Sequence, residues 1–139
     1  VKLATQVLST SVAIALEECG YAYVLATAKF CKMMNDFFDC TNVMSMTEYV
    51  SKRNQFVKPY TCQDDERFSW LKDVFLGYWI VGKIRQWQEM TYKGLKISVY
   101  SHIEAIQFLL AQGFQYVLSE RFMQDVVEDY FGHQRAKGG

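Results

Sequence analysis

The chain has 139 residues; half are hydrophobic, 22% are charged, and 15 Lys and Arg balance 15 Asp and Glu. This composition excludes intrinsic disorder, because disordered segments lack the apolar surface that offsets the entropy of ordering. The balanced charge excludes a strongly basic nucleic-acid binder, so any DNA contact requires a local patch. One Pro and eight Gly are too few turn signals for an all-β sandwich, and we predict a mainly α fold.

The ends of the sequence and its cysteines indicate the kind of protein. Val1 is not an initiator Met and no signal peptide follows it, which predicts a piece of a longer protein. The longest apolar run, Val74 to Val81, is too short to cross a bilayer, so we expect no membrane partner. The four cysteines form no C-x-x-C pair, which argues against a zinc site and favours an intracellular protein.

The first half of the chain predicts two helices and a connection. Apolar residues recur at spacings of three and four from Lys2 to Glu18, and Gly20 stands where a glycine ends a helix. A second amphipathic helix is predicted from Ala22 to Asp39. The apolar residues between Thr41 and Asp65 follow no regular spacing. This segment is therefore predicted to be a long connection with at most one short helical turn.

The second half begins with a predicted helix from Asp64 to about Met90, with acids in its first turn and Phe68, Leu71, Val74, Phe75, Tyr78, Trp79 and Val81 on its inner face. Thr91 to Gly94 is expected to end this helix.

A further helix is predicted to start at Ser98 or Ser101, to bury Ile103, Ile106, Leu109 and Leu110, and to stop at Gly113. Phe114 to Leu118 predicts one short strand. Arg121 to Ala136 predicts a last helix with these residues inside: Phe122, Val126, Val127, Tyr130 and Phe131.

Three acids in the last predicted helix are candidates for metal chemistry. Asp125, Glu128 and Asp129 lie at i, i+3 and i+4, so their carboxylates share one helix face. Converging carboxylates suit divalent cations and two-metal phosphoryl transfer. On spacing alone, acids that stabilise the N-terminal end of a solvated helix are the better interpretation.

A second candidate site follows the aromatic pair at the end of the second helix. Phe38 could stack on a base, Asp39 could accept two N–H donors from guanine, and Asn42 lies three residues further on. On the residues alone, Asp39 and Asn42 are better interpreted as cap and turn residues at a helix end.

Longer strings of residues resemble the P-element-type (THAP-associated) DNA transposases. Tyr116 to Gly132, followed by Arg135 and Gly138-Gly139, is similar to that family's segment of leucine, threonine or serine, x, arginine, then Gln-Asp-x-x-Glu-x-x-Phe. Three N-terminal strings resemble the helical GTP-binding insertion that interrupts the family's RNase H fold: Val1 to Ser9, Ala26 to Phe30 and Phe37 to Asn42.

The resemblance implies specific roles. Glu128 matches the catalytic, metal-binding glutamate that completes the Asp-Asp-Glu set, whose two aspartates precede this chain in the family. The residues that match nucleotide-associated positions are Asp125, Asp39, Asn42, Val1 and Ser9, and Phe38 is the candidate stacking residue. The implied cofactors are GTP and Mg²⁺, with GTP assisting assembly and substrate positioning rather than serving as fuel.

The resemblance also implies an organisation and a function. It predicts a helical GTP-binding insertion domain at residues 1–93 and the C-terminal helical part of a split RNase H-like catalytic domain at residues 94–139. The parent is expected to be a nuclear, homo-oligomeric cut-and-paste transposase that acts on transposon ends. Two alternatives stay open: a noncatalytic host protein derived from a transposase and used as a DNA- or protein-interaction module, and an unrelated helical scaffold.

Overall fold

The computed structural model of the chain describes the backbone of residues 2–81, 86–122 and 125–137, and the side chains of the same residues except 2–3, 81, 86–88 and 125–126. Within these ranges helices dominate, and extended pairing is limited to one antiparallel bridge between Tyr60 and Val117. The prediction of a mainly α chain is confirmed. The α-helices are α1 (Lys2–Val7), α2 (Thr10–Glu18), α3 (Ala22–Thr41), α4 (Glu48–Ser51), α5 (Glu66–Ser69), α6 (Leu76–Val81), α7 (Gln86–Ala111) and α8 (Asp125–Lys137).

The segment predicted as one helix, Lys2 to Glu18, forms two helices, α1 and α2. α1 ends at Val7, and the Ser9 side chain caps α2 by accepting from the Val12 N–H at 3.3 Å. A Ser side chain that captures a backbone N–H favours a new helix start over continuation of the old one. Gly20 has a φ of +72° after α2, which matches the predicted glycine stop.

The core lies where α3 meets the chain between Trp70 and Phe75 and the middle of α7. Phe37 of α3 stacks on Phe75 with ring centroids 4.2 Å apart. Stacked and tilted aromatic pairs add to the burial of apolar area at such contacts. The largest fully buried side chains include Tyr60, Phe75, Leu71, Ile103, Ile106, Val43 and Val99.

The predicted helix that begins after Asp64 contains an irregular turn. A π-helix from Trp70 to Phe75 joins α5 to α6, and its i→i+5 hydrogen bonds place an extra residue in the turn. The extra residue rotates the side chains around the helix axis, so the apolar residues predicted to face the core do not all face it. Val74, predicted to be internal, is 52% exposed, whereas Leu71 and Phe75 are fully buried.

The predicted break between Thr91 and Gly94 is wrong, because α7 runs through it from Gln86 to Ala111. One internal Gly costs only about 1 kcal/mol relative to Ala. Lys93 pairs with Glu89 at 2.8 Å one turn earlier. Ser98, predicted as a cap, lies inside the helix and donates to the Gly94 carbonyl at 3.0 Å, and Ser101 is also internal.

The chain after α7 turns at Gly113, whose φ is +98°, as predicted. The strand predicted from Phe114 to Leu118 is reduced to the bridge at Val117. A 3-10 turn, Ser119–Phe122, follows, and it ties back to α3 because the Ser119 hydroxyl donates to the Cys40 carbonyl at 3.2 Å.

The apolar residues predicted to lie inside the last helix are at the surface. Val127, Tyr130 and Phe131 are 53%, 58% and 56% exposed, and Phe122 just before α8 is 41% exposed, while Val126 lies outside the described side chains. The amphipathic pattern is real, but no described element packs on this face of α8. None of the described helices is long and apolar enough to cross a membrane.

Candidate functional site

Asp39 lies in a network of amide side chains on the polar face of α3. Its Oδ2 accepts a hydrogen bond from Asn35 Nδ2 at 2.8 Å and another from Asn54 Nδ2 at 2.8 Å. Asn35 is one turn earlier on the same helix, whereas Asn54 stands at the start of a 3-10 turn, Gln55–Val57. The hydrogen bonds from described residues to Asp39 both reach Oδ2, so Oδ1 faces no described donor.

Asn35 connects this network to the start of α2. Its Oδ1 accepts from the Thr10 backbone N–H at 3.2 Å, directly after the capping residue Ser9. The Asn35 amide, which sequence reasoning did not select, therefore links Asp39 to Thr10, the residue after Ser9. The spacing of Asn35 and Asp39, four residues apart on a helix, was the signal that could have indicated it.

The groups around Asp39 move its pKa in both directions. Burial raises the pKa of Asp39 above its usual value, and the nearby Asp36 charge raises it further, while the Asn54 and Asn35 hydrogen bonds and the Lys52 charge lower it. Asp36 is itself paired with Lys32 at 2.5 Å. Asp39 is thus a half-buried carboxyl whose charge is stabilised mainly by neutral amide donors.

Phe38 and Asn42 lie on the same face of α3 as Asn35 and Asp39, because these four residues are spaced at i, i+3, i+4 and i+7. Phe38 also lines a groove between α3 and α7. Asn42 is the exposed C-cap residue of α3. Val1 and the Asp125 side chain, both predicted near the nucleotide, lie outside the described residues and side chains.

The groove between α3 and α7, here called the α3–α7 groove, has a volume of about 530 Å³. Its lining combines rings and hydroxyl groups: Phe37, Phe38, Thr41, Ser98, Ser101, His102, Ala105 and Phe122. Sequence reasoning missed the part of this groove that α7 supplies, because a polar side chain on a helix carries no local sign of what faces it.

His102 is held at the end of α3. Its imidazole hydrogen-bonds to the Cys40 backbone carbonyl, which also accepts from the Tyr60 hydroxyl at 2.8 Å. The last carbonyls of a helix lack partners within it, so these donors complete the C-terminus of α3. His102 Nε2 is buried and has no hydrogen-bond partner among the described residues.

The buried imidazole gives a pH prediction. Burial, and then the Arg67 charge, lower the pKa of His102 from 6.5 to about 4. Between these two values the unfolded chain binds the proton and the folded chain does not, so stability is full above pH 6.5 and falls as pH drops towards 4. We expect a loss of about 3 kcal/mol across this window, measured by urea unfolding at several pH values.

His133 supplies the control for the pH prediction. It is exposed on α8, with Nδ1 2.7 Å from the Asp129 carbonyl oxygen. His133→Gln should keep the pH dependence of the unfolding free energy, and His102→Gln should flatten it. Asp39, whose pKa is raised, changes stability in the opposite direction in the acidic part of the window, so the difference between variants isolates His102. An equally steep profile in both variants would contradict the assignment.

Glu128 is exposed on α8, where it borders a shallow surface depression with Phe131, Gln134 and Arg135. Within the described residues, no three His, Cys, Asp or Glu side chains converge to hold a metal ion. The described part of the chain therefore does not form a Mg²⁺ site by itself, and Glu128 offers one carboxylate. Its assignment as a metal ligand stays a prediction from the resemblance.

A buried arginine holds the segment that carries Asn54. Arg67 is 5% exposed, makes a two-pronged ion pair with Asp65, and lies 3.7 Å from the centre of the Tyr60 ring. Its guanidinium donates to the backbone carbonyls of Phe56, Lys58 and Pro59. The Arg67 side chain thus fixes the connection between α4 and α5 from its buried side.

Comparison with known proteins identifies a family match in the N-terminal part of the chain. Residues 1–54 match the family of TNP-like GTP-binding insertion domains, and this range contains the whole Asp39 network. The entire chain aligns with the Transposable element P transposase of Drosophila melanogaster at 32% identity over 147 residues, which is 100% of this chain and 19% of that protein. The chain is thus similar over its whole length to a P-element-type transposase, and it spans about a fifth of the length of this relative. No solved structure matches the chain.

Proposed function

We propose that the chain binds GTP through the polar face of α3, with Asp39 as the acceptor for the guanine base. The observation that supports this most directly is the position of the Asp39 network inside the range that matches GTP-binding insertion domains. A carboxylate held by amides, with Oδ1 facing no described donor, is suited to accept from guanine, which presents two adjacent N–H donors. Adenine presents no donors at those positions.

The test is calorimetric titration of the chain with GTP and with ATP at neutral pH. We expect GTP to bind and ATP to bind at least about tenfold more weakly, because adenine lacks the two N–H donors that guanine offers to the half-buried carboxylate of Asp39. Equal affinities would remove base recognition from Asp39. No heat with GTP would reject the nucleotide function of this chain.

For the parent protein we propose a cut-and-paste DNA transposase that works in the nucleus on transposon ends as a homo-oligomer. Support comes from the 32% identity to the Transposable element P transposase over the whole chain. Glu128 would contribute one acid of an Asp-Asp-Glu set in an RNase H-like domain, with Mg²⁺ bound by the complete set. The alternative of a noncatalytic, domesticated interaction module would share the helical body described above but would lack the two upstream aspartates.

The proposed division into an insertion domain (residues 1–93) and a catalytic part (residues 94–139) places the boundary inside α7. α7 runs from Gln86 to Ala111, so a single helix would pass from one unit to the other. The tie between Ser119 and Cys40 then joins the two parts through the end of α3.

The isolated chain is predicted neither to cut nor to join DNA. It supplies one member of the proposed acidic set, and a single carboxylate cannot replace several converging acids. A strand-transfer assay with the purified chain, transposon-end DNA and Mg²⁺ or Mn²⁺ checks this. Any joined product that depends on Glu128 would show that this chain contains a complete site.

A further inference from the structure

The side of α7 that faces away from the core carries a line of apolar side chains. Met90, Ile97 and Phe108 are 79%, 68% and 61% exposed. At about 100° per residue they project within about 20° of one another around the helix axis, opposite the buried Val99 and Ile106. The line from Met90 to Phe108 is about 27 Å long at about 1.5 Å per residue, and the described part of the chain leaves it uncovered.

Smaller and polar residues extend this line into a regular pattern. Gly94, Ser101, Glu104 and Ala111 are exposed and fill the intervals, so that spacings of four and three residues alternate from Met90 onward. This alternation is the pattern by which one helix packs along another in a coiled coil. The pattern defines a surface, here called the α7 seam, that consists of Met90, Gly94, Ile97, Ser101, Glu104, Phe108 and Ala111.

The glycine in the seam has no explanation in contacts within the described part of the chain. A Cβ added to Gly94 would meet nothing within 4 Å there, and the positive φ angles of described glycines are at Gly20 and Gly113 instead. Glycine is less favourable than alanine in a helix interior. A second helix lying against the seam would explain Gly94, because the missing side chain leaves room for a long side chain of the partner to cross.

We propose that the α7 seam pairs with the α7 seam of a second copy of this chain, in antiparallel orientation about a two-fold axis level with Val99. In a two-fold contact the same surface must be complementary to itself. The α7 seam meets this condition in one register, where the facing pairs are Met90 with the partner's Phe108, Ile97 with the partner's Ser101, and Gly94 with the partner's Glu104. Large side chains then meet each other or face small ones.

The charges beside the seam favour the antiparallel orientation over the parallel one. Glu104 crosses the partner's Gly94, which brings its carboxylate to the neighbouring Lys93, and the two-fold axis repeats this ion pair. Lys93 is 67% exposed and is paired at present with the 62% exposed Glu89 at 2.8 Å, so its ammonium group can contact both acids. A parallel pair would place Lys93 against Lys93 and Glu104 against Glu104, and such flanking charges decide the orientation of paired helices.

The size of the contact predicts a weak dimer. A strip about 27 Å long and about 10 Å wide, the diameter of a helix, is smaller than the roughly 800 Å² per partner of a standard interface. We therefore expect a dissociation constant on the order of 100 µM. The pairing deepens the homo-oligomer proposed for the parent by naming a contact surface in this chain, and it does not depend on GTP.

The test is sedimentation equilibrium of the intact chain without nucleotide, under reducing conditions, from about 10 µM to about 1 mM, a range that brackets the expected dissociation constant. We expect a monomer at the low end and a dimer at the high end. A chain that stays monomeric throughout overturns the proposal and assigns the α7 seam to another part of the parent protein. GTP binding by such a monomer would leave the Asp39 proposal standing, so the two failures are distinguishable.

A matched pair of substitutions locates the contact. Ile97→Glu places a carboxylate on each side of the two-fold axis and should weaken dimerisation about tenfold or more, because charge is depleted at the centre of such interfaces. Ile14→Glu makes the same change on α2, where Ile14 is 49% exposed, and should dimerise normally. Both positions are at the surface, so both variants should stay folded. Equal dimerisation by the two variants overturns the proposal.

Charge reversal tests the orientation. Lys93→Glu and Glu104→Lys each place like charges at both flanking contacts and should weaken dimerisation about fivefold or more. An equimolar mixture of the two variants should recover the wild-type affinity, because opposite charges then face each other at both contacts of the mixed dimer. In a parallel pair each single reversal replaces one like-charge contact with another. Wild-type affinity in both single variants would therefore overturn the antiparallel pairing.

Discussion

Asp39→Asn is expected to weaken GTP binding roughly 10- to 100-fold, since hydrogen bonds to a charged acceptor contribute more than neutral ones. The variant should gain binding of xanthosine triphosphate, because xanthine carries a carbonyl where guanine carries its amine. The measurement is calorimetric titration of both proteins with GTP, ATP and xanthosine triphosphate.

The amide network decides how an asparagine would be oriented at this position. Asn35 and Asn54 both donate to Oδ2 of Asp39, so the carbonyl oxygen of the introduced amide should take the Oδ2 position and its NH₂ should take the Oδ1 position. That orientation keeps the local hydrogen bonds and presents a donor to the base. The fold should therefore survive the substitution, and the change in nucleotide preference can be attributed to recognition.

The same network implies a rearrangement when guanine binds. A carboxylate oxygen has about two acceptor directions, and Oδ2 uses both. A two-pronged contact with guanine therefore requires one amide to leave Oδ2. Asn54 stands in a connection 15 residues away in sequence, whereas Asn35 is fixed one helical turn back. We expect Asn54 to be the amide that is exchanged.

The control for the Asp39 prediction is Asp73→Asn, which neutralises an exposed carboxylate within the π-helix and should leave GTP affinity unchanged. If Asp39→Asn also keeps its GTP affinity, Asp39 does not read the base. Loss of GTP binding without any gain for xanthosine triphosphate would assign Asp39 to the support of Asn35 and Asn54 instead.

The sequence predicted the elements that depend on local pattern. The helix at α3, the turns at Gly20 and Gly113, and the burial of Ile103 and Ile106 follow from spacing of three and four residues and from the positive φ that glycine permits. The π-helix and the continuity of α7 through Gly94 were not predicted, because the helix preferences of single residues are weak and one internal Gly costs only about 1 kcal/mol.

Only part of the candidate site could be predicted from the sequence, for a related reason. Asp39 was selected as a candidate because an acid after two aromatics is visible in the sequence, whereas Asn54 and His102 make their contacts only after folding. Asn54 is 15 residues from Asp39, and Ser119 is 79 residues from the Cys40 carbonyl that it shares with His102. No periodic pattern encodes such pairings.

Arg67→Met is expected to lower the free energy of unfolding by about 3 kcal/mol or more, the range for breaking a buried ion pair by removing one partner. Methionine can fill part of the space beside Tyr60, but it leaves Asp65 and three backbone carbonyls without their donor. Arg67→Lys should be nearly as damaging, because an ammonium group cannot reproduce the planar fork that bonds Asp65 and the carbonyls together.

Arg121→Met is the matched control for Arg67. It removes the same side chain where that side chain is 73% exposed and paired only loosely with Glu120 at 3.5 Å, and it should change the unfolding free energy by about 0.5 kcal/mol or less. Urea unfolding of the three variants gives the comparison. Because Arg67 holds the carbonyls of Phe56 to Pro59, just after Asn54, its loss should also weaken GTP binding under conditions where the variant remains folded. Near-wild-type stability of Arg67→Met would show that the connection is held by the stacking around Tyr60 and Phe68 instead of by the guanidinium.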